Sequence, residues 1–105
     1  MTLEWARSVA SDAVFEERVF EASLDDLVDL EEDLIEHFRG LKRQGSTPPG
    51  ARLPIYPGEI YLILFRANVV MRVILEKRKS VDEAMITPEI NRRVQRIEEE
   101  LKTLA

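Results

Sequence analysis

Apolar residues at Leu24, Leu27, Val28, Leu34, Ile35, Phe38 and Leu41 recur at steps of three and four, the spacing of one face of an amphipathic helix. Asp25, Asp29, Glu32 and Glu36 fall on the opposite face. Ser23 followed by Asp26 supplies an N-cap hydroxyl and a first-turn carboxylate, and Arg43 and Gly45 mark the other end. The pattern predicts a helix over 23–43. A second helix is predicted over 87–104, where Thr87 is the cap and Pro88 holds the favoured first helical position. Its apolar residues Ile90, Val94, Ile97, Leu101 and Leu104 form a thin seam close to a 3.5-residue repeat, flanked by Arg92, Arg93, Arg96, Glu98, Glu99 and Lys102. So narrow a stripe suits a partner helix better than a broad core, and these five residues are the expected partner interface.

Residues 58–85 admit two readings. As a helix, Ile60, Ile63, Leu64, Ala67, Val70, Met71, Ile74, Val81, Ala84 and Met85 hold one face, and a weaker second face carries Leu62, Phe65, Val69 and Val73 beside Arg66 and Arg72. Apolar residues on two sides describe a central helix or one shared across an interface. As strands, 59–65 and 69–76 are rich in β-branched and aromatic residues, with Arg66-Ala67-Asn68 as the turn. The helical stripe crosses that turn without a change of phase, which favours helix 59–85. Near the start, Leu3, Ala6, Val9 or Ala10 and Ala13 keep a helical period, although Val14, Glu16, Arg18 and Phe20 alternate as an edge strand would; a helix over 3–20 is expected. Between the two halves, 44–58 contains Gly45, Pro48, Pro49, Gly50, Pro54, Pro57 and Gly58 and cannot continue a helix. The expectation is an all-α bundle of about four helices forming one domain over 1–105, with an α+β fold built on a hairpin at 59–76 as the alternative.

Composition narrows the chemistry. The 105 residues contain no cysteine, which removes disulfide, thiolate-metal and thiol chemistry. His37 is the single histidine; Asp33, one turn earlier, is placed to orient its ring. The net charge is −5, an unfavourable sign for a protein whose main task is holding nucleic acid. That charge is unevenly spread: residues 1–39 balance at −9 and residues 40–96 at +6. Two acidic and basic halves that pack together and cancel are one explanation; an acidic surface that steers a basic partner is the other. The start of the chain carries Glu4 where a signal peptide would carry a base, and the longest apolar run, Ile60 to Phe65, is far too short to span a bilayer. A soluble cytoplasmic protein is expected.

No phosphate loop, nucleophile elbow or metal-ligand spacing is present in the sequence, so no catalytic, metal or cofactor residue is singled out and no cofactor is expected. The basic clusters Lys77-Arg78-Lys79 and Arg92, Arg93 and Arg96 could together form a cationic patch, although neighbouring acids offer them partners and no aromatic lies among them to stack a base. The functional expectation is a non-enzymatic interaction or assembly module, an adaptor or regulatory subunit whose partner is itself or a larger complex. Two alternatives remain. The basic patch could serve a nucleic-acid-associated subunit. In the hairpin reading, strands followed by Lys77-Arg78-Lys79 and a helix resemble the small messenger-RNA-cleaving toxins of bacteria, which implies RNA contact through Arg66, Arg72, Lys77, Arg78 and Lys79. That resemblance covers less than half of the chain, carries no specific motif, and departs from a usually basic family in its charge.

Overall fold

The computed structural model describes residues 1–81 and 85–104. Among them lie five helices and no sheet: α1 (Leu3–Ser8), α2 (Asp12–Glu21), α3 (Leu24–Arg43), α4 (Glu59–Ser80) and α5 (Pro88–Leu104). The fold is all-α. The hairpin alternative is overturned, since 59–76 lies inside the continuous helix α4, and Asn68, its supposed turn, donates from Nδ2 to the Leu64 carbonyl one turn back at 2.8 Å. Helix α4 stops at Ser80, earlier than the expected 85, because Val81 is extended at φ −97° and ψ 140°. Ala84, assigned to its apolar face, lies outside the described residues.

The expected single helix over 3–20 is two helices. Val9 leaves α1 extended, and the Ser11 hydroxyl accepts from the Val14 N–H at 3.3 Å, so Ser11 caps a fresh helix with Asp12 in its first turn. Ser23 caps α3 through the Asp26 N–H at 3.2 Å, and Thr87 caps α5 through the Ile90 N–H at 3.2 Å, both as the sequence signals.

Polar contacts give the direction of each helix. Helices α3 and α4 form the central antiparallel pair, with His37 late in α3 meeting Glu59 at the start of α4, Nε2 to Oε1 3.3 Å. Helix α5 runs parallel to α3: Arg93 meets Asp29 at 2.5 Å, Arg96 meets Glu32 at 2.9 Å and Glu100 meets Arg39 at 3.7 Å. Helix α2 runs parallel to α4: Asp12 lies 3.4 Å from Arg66, Glu16 lies 3.2 Å from Arg72, and the Lys77 ammonium sits 5.6 Å above the Phe20 ring. The core fills the space between these helices. Leu27, Leu34, Ile35, Ile63, Val70, Ile74, Val94 and Ile97 are inaccessible to solvent or nearly so. Burial of each such side chain stabilises the fold by about 1.5–3 kcal/mol before the entropic cost of ordering it.

One core position is a cation. The Arg66 guanidinium is buried and donates from Nη1 to the Ala6 carbonyl at 2.5 Å and from Nη2 to the Val9 carbonyl at 2.6 Å. Those carbonyls belong to the C-terminal end of α1, where helical oxygens lack intrahelical donors and the helix dipole is negative. The guanidinium also lies 5.0 Å from the centre of the Phe15 ring, whose other neighbour is the stacked Trp5 ring at 5.4 Å. Arg66 therefore ties α1 and α2 to α4.

The connection 44–58 is pinched at its neck. Ser46 and Ile55 exchange backbone hydrogen bonds of 3.1 and 2.8 Å as an isolated antiparallel bridge. Tyr56 packs so closely over Gly45 that a Cβ there would overlap its ring. At the tip Gly50 has φ +84°, a conformation that side chains with a Cβ resist.

Arg66→Leu is expected to cost about 3 kcal/mol or more, because two carbonyls lose charge-assisted donors. Urea unfolding gives the loss, and Trp5 emission should shift to the red as α1 loosens. A midpoint unchanged from the parent would show that Arg66 does not anchor α1.

Candidate interaction surface

The seam of α5 is spent inside the molecule. Ile90, Val94, Ile97 and Leu104 are buried and half-buried Leu101 packs against the same core, formed with α3 and α4. In this structure the expected partner residues pack into the chain's own core. The cationic patch is divided. Arg93 bridges Asp29 and Glu32, and Arg96 reaches Glu32 and Glu100, so these two cations bind the acidic face of α3. Hydrogen bonding from Arg93 holds the Glu32 carboxyl below the usual carboxylate range, and the Glu32 and Asp29 carboxylates raise the Arg93 guanidinium. Arg92 is exposed, and Lys77, Arg78 and Lys79 form the last turn of α4.

A different surface emerges on the outer side of α4. Tyr61, Phe65, Asn68, Arg72, Glu76 and Lys79 are exposed at helical spacing and make one continuous stripe. Its first half is aromatic: Tyr61 is 73% exposed and Phe65 47% exposed. Its second half borders a groove of about 640 Å³ between α2 and α4, floored by Ala13, Phe20 and Val73 and rimmed by Glu16, Glu17, Arg72 and Glu76. Phe20 stands 67% exposed there. The sequence pattern grouped Phe65 with Val69 and Val73, which α2 covers; the available signal was the i, i+4 pair of Tyr61 and Phe65 aligned with the polar Asn68 and Arg72. Leu53 and Ile55 of the loop are exposed as well.

Two carboxyls behave in opposite ways. Glu59, at the start of α4, accepts from Arg7 Nε at 2.5 Å and also meets His37, and hydrogen bonding from Arg7 holds it below its ordinary value. His37 therefore pairs with α4, whereas the expected partner Asp33 is exposed. Glu31 lies on the inward face of α3, inaccessible to solvent, with neither carboxylate oxygen bonded among the described residues, and burial pushes its carboxyl well above the normal range. The sequence reading had no place for an acid at that core position. Among the described residues no three His, Cys, Asp or Glu side chains converge to hold a metal, and no helix is long and apolar enough to cross a membrane.

The Glu31 carboxyl binds its proton more tightly folded than unfolded, so it lowers stability as pH rises above about 4.3, the unfolded value. Glu32 and Glu59 have the opposite sign, and their contribution fades as pH falls through their lowered folded values. Glu31→Leu should therefore raise the urea midpoint more at pH 7 than at pH 4, by about 1 kcal/mol or more at the higher pH. Equal effects at both values would mean that Glu31 titrates normally.

Comparison with protein-family models, curated proteins and solved structures finds no match for this chain.

Proposed function

We propose that the chain is a small helical protein–protein interaction module, an adaptor or regulatory subunit, that associates with a second copy of itself. The observation that carries this reading is surplus surface. The molecule exposes 6845 Å², whereas a compact 12.1 kDa monomer exposes about 6,000 Å². The excess of about 800 Å² equals one partner's share of a standard protein interface. Shape agrees: the radius of gyration is 15.2 Å, and the extents are 56 × 28 × 17 Å, against about 13 Å for a compact domain of this length. The exposed aromatics Tyr61, Phe65 and Phe20 give that surface the composition of an interface core, in which aromatic residues are enriched.

The RNA-cleaving alternative rests on a hairpin at 59–76, and the helix α4 in its place removes that support. The nucleic-acid-associated alternative loses support because Arg93 and Arg96 are engaged by carboxylates of the same chain.

Light scattering after size-exclusion chromatography, at moderate and at high salt, tests the proposal. The expected mass is twice 12.1 kDa and persists in high salt, because apolar burial does not screen. A monomeric mass at both salt concentrations would overturn self-association.

A further inference from the structure

The outer stripe of α4 is self-complementary. Tyr61 and Glu76 lie equally far from the midpoint between Asn68 and Val69, and so do Phe65 and Arg72. If a second α4 is laid antiparallel across the first with the two-fold axis at that midpoint, each aromatic of one copy meets a groove residue of the other. A two-fold interface requires this reciprocity, since residue i must contact j while j contacts i. We infer that the chain dimerises through antiparallel contact of the two α4 stripes, with Tyr61 and Phe65 of each copy entering the α2–α4 groove of the other.

The chemistry at each contact is favourable. Arg72 is held on the rim by Glu16, at 3.2 Å, with its side chain still well exposed. It offers a guanidinium to the Phe65 face of the second copy. Glu76 is an acceptor for the Tyr61 phenol, which donates. Beneath them Phe20, Val73 and Ala13 supply the apolar floor that the two rings cover. The antiparallel direction also carries the loop of the second copy, which precedes its Tyr61, toward the end of α2. That places exposed Leu53 and Ile55 at the end of the dimer nearest the C-terminus of α2. One arrangement thus brings together the main exposed apolar side chains of α2, α4 and the loop. This inference rests on the self-association proposed above and adds the face, the direction and the pairing.

Cysteine cross-linking tests it directly, since the chain has no cysteine of its own. Asn68 is exposed and sits beside the proposed axis, so Asn68→Cys should form an intermolecular disulfide on mild oxidation, within the Cα separation of about 4.4–6.8 Å that the bond needs. Lys79→Cys is the control: two antiparallel copies hold these positions about 30 Å apart, so no cross-link should form. Phe65→Glu should leave the helical dichroism spectrum unchanged and weaken dimerisation about tenfold or more, as expected for an anchor residue. Cross-linking through both Asn68→Cys and Lys79→Cys would mean a parallel pair and overturn the inference. A dimer by light scattering with no Asn68→Cys cross-link would leave self-association standing and rule out this face. A monomer whose α2–α4 groove binds a lysine-rich amphipathic peptide would overturn both and assign the groove to a different occupant.

Discussion

Helix α4 presents apolar side chains around more of its circumference than one neighbouring helix can cover. An amphipathic helix on a protein surface hides a stripe roughly 100° wide and leaves the rest to water. On α4 the buried set runs from Ile63, Val70 and Ile74, which lie within the main core with α3, round to Arg66, Val69 and Val73 on the side of α1 and α2. A second covering element is therefore obligatory, and the short N-terminal helices supply it. Covering α4 with two short pieces creates a difficulty at their junction, because the Ala6 and Val9 carbonyls at the end of α1 face the buried Arg66 side chain and have no helical donor. Arg66 resolves it from within α4, with the guanidinium as a substitute for the missing N–H groups. The Phe15 ring lies against that guanidinium and is itself stacked on Trp5.

The unequal charge of the two halves of the chain becomes intelligible in the same terms. Acidic residues of α2 and α3 face basic residues of α4 and α5: Glu16 with Arg72, Asp29 and Glu32 with Arg93, Glu32 with Arg96. Arg7 with Glu59 and Arg39 with Glu100 are pairs of the reverse sense. Individually such partly exposed pairs stabilise little. Collectively they fix the sliding position of one helix against another, which an aliphatic seam such as Ile90, Val94 and Ile97 leaves loosely defined. Specificity of register is their contribution. The consequence for partner recognition is that Asp29 and Glu32 are engaged within the chain, whereas Asp25, Asp26 and Asp33 of the same helix make no ion pair among the described residues.

How much of this was written plainly in the sequence depends on the residue. Caps with hydroxyls at Ser23 and Thr87, and stripes such as Leu27, Leu34 and Phe38, announce their helices because the cause is local. The break at Val9 to Ser11 is also local, since Ser11 followed by Asp12 is a start signal, but the helical period of the alanines on either side masked it. Burial is not local. Nothing about the spacing of Ile90, Val94, Ile97, Leu101 and Leu104 says whether the covering helix belongs to the same chain, and here it does. Arg66 and Glu31 are polar letters in core positions, and a pattern that sorts residues by polarity assigns both to the surface. The candidate surface was hidden for the converse reason: Tyr61 and Phe65 count as apolar, and only the position of α2 shows that they remain uncovered while Val69 and Val73 do not.

The bridge between Ser46 and Ile55 has an evolutionary implication. By joining the two arms at the neck, it makes the span that α3 and α4 must bridge independent of how many residues lie beyond it. The closure entropy of such a tip grows only slowly, by about 0.6 kcal/mol for each doubling in length. The tip around Pro48, Pro49 and Gly50 can thus be lengthened, shortened or replaced by an inserted segment with little penalty to the helices below. It is the place where this architecture can acquire new sequence most cheaply, and the natural attachment point for a grafted peptide or label.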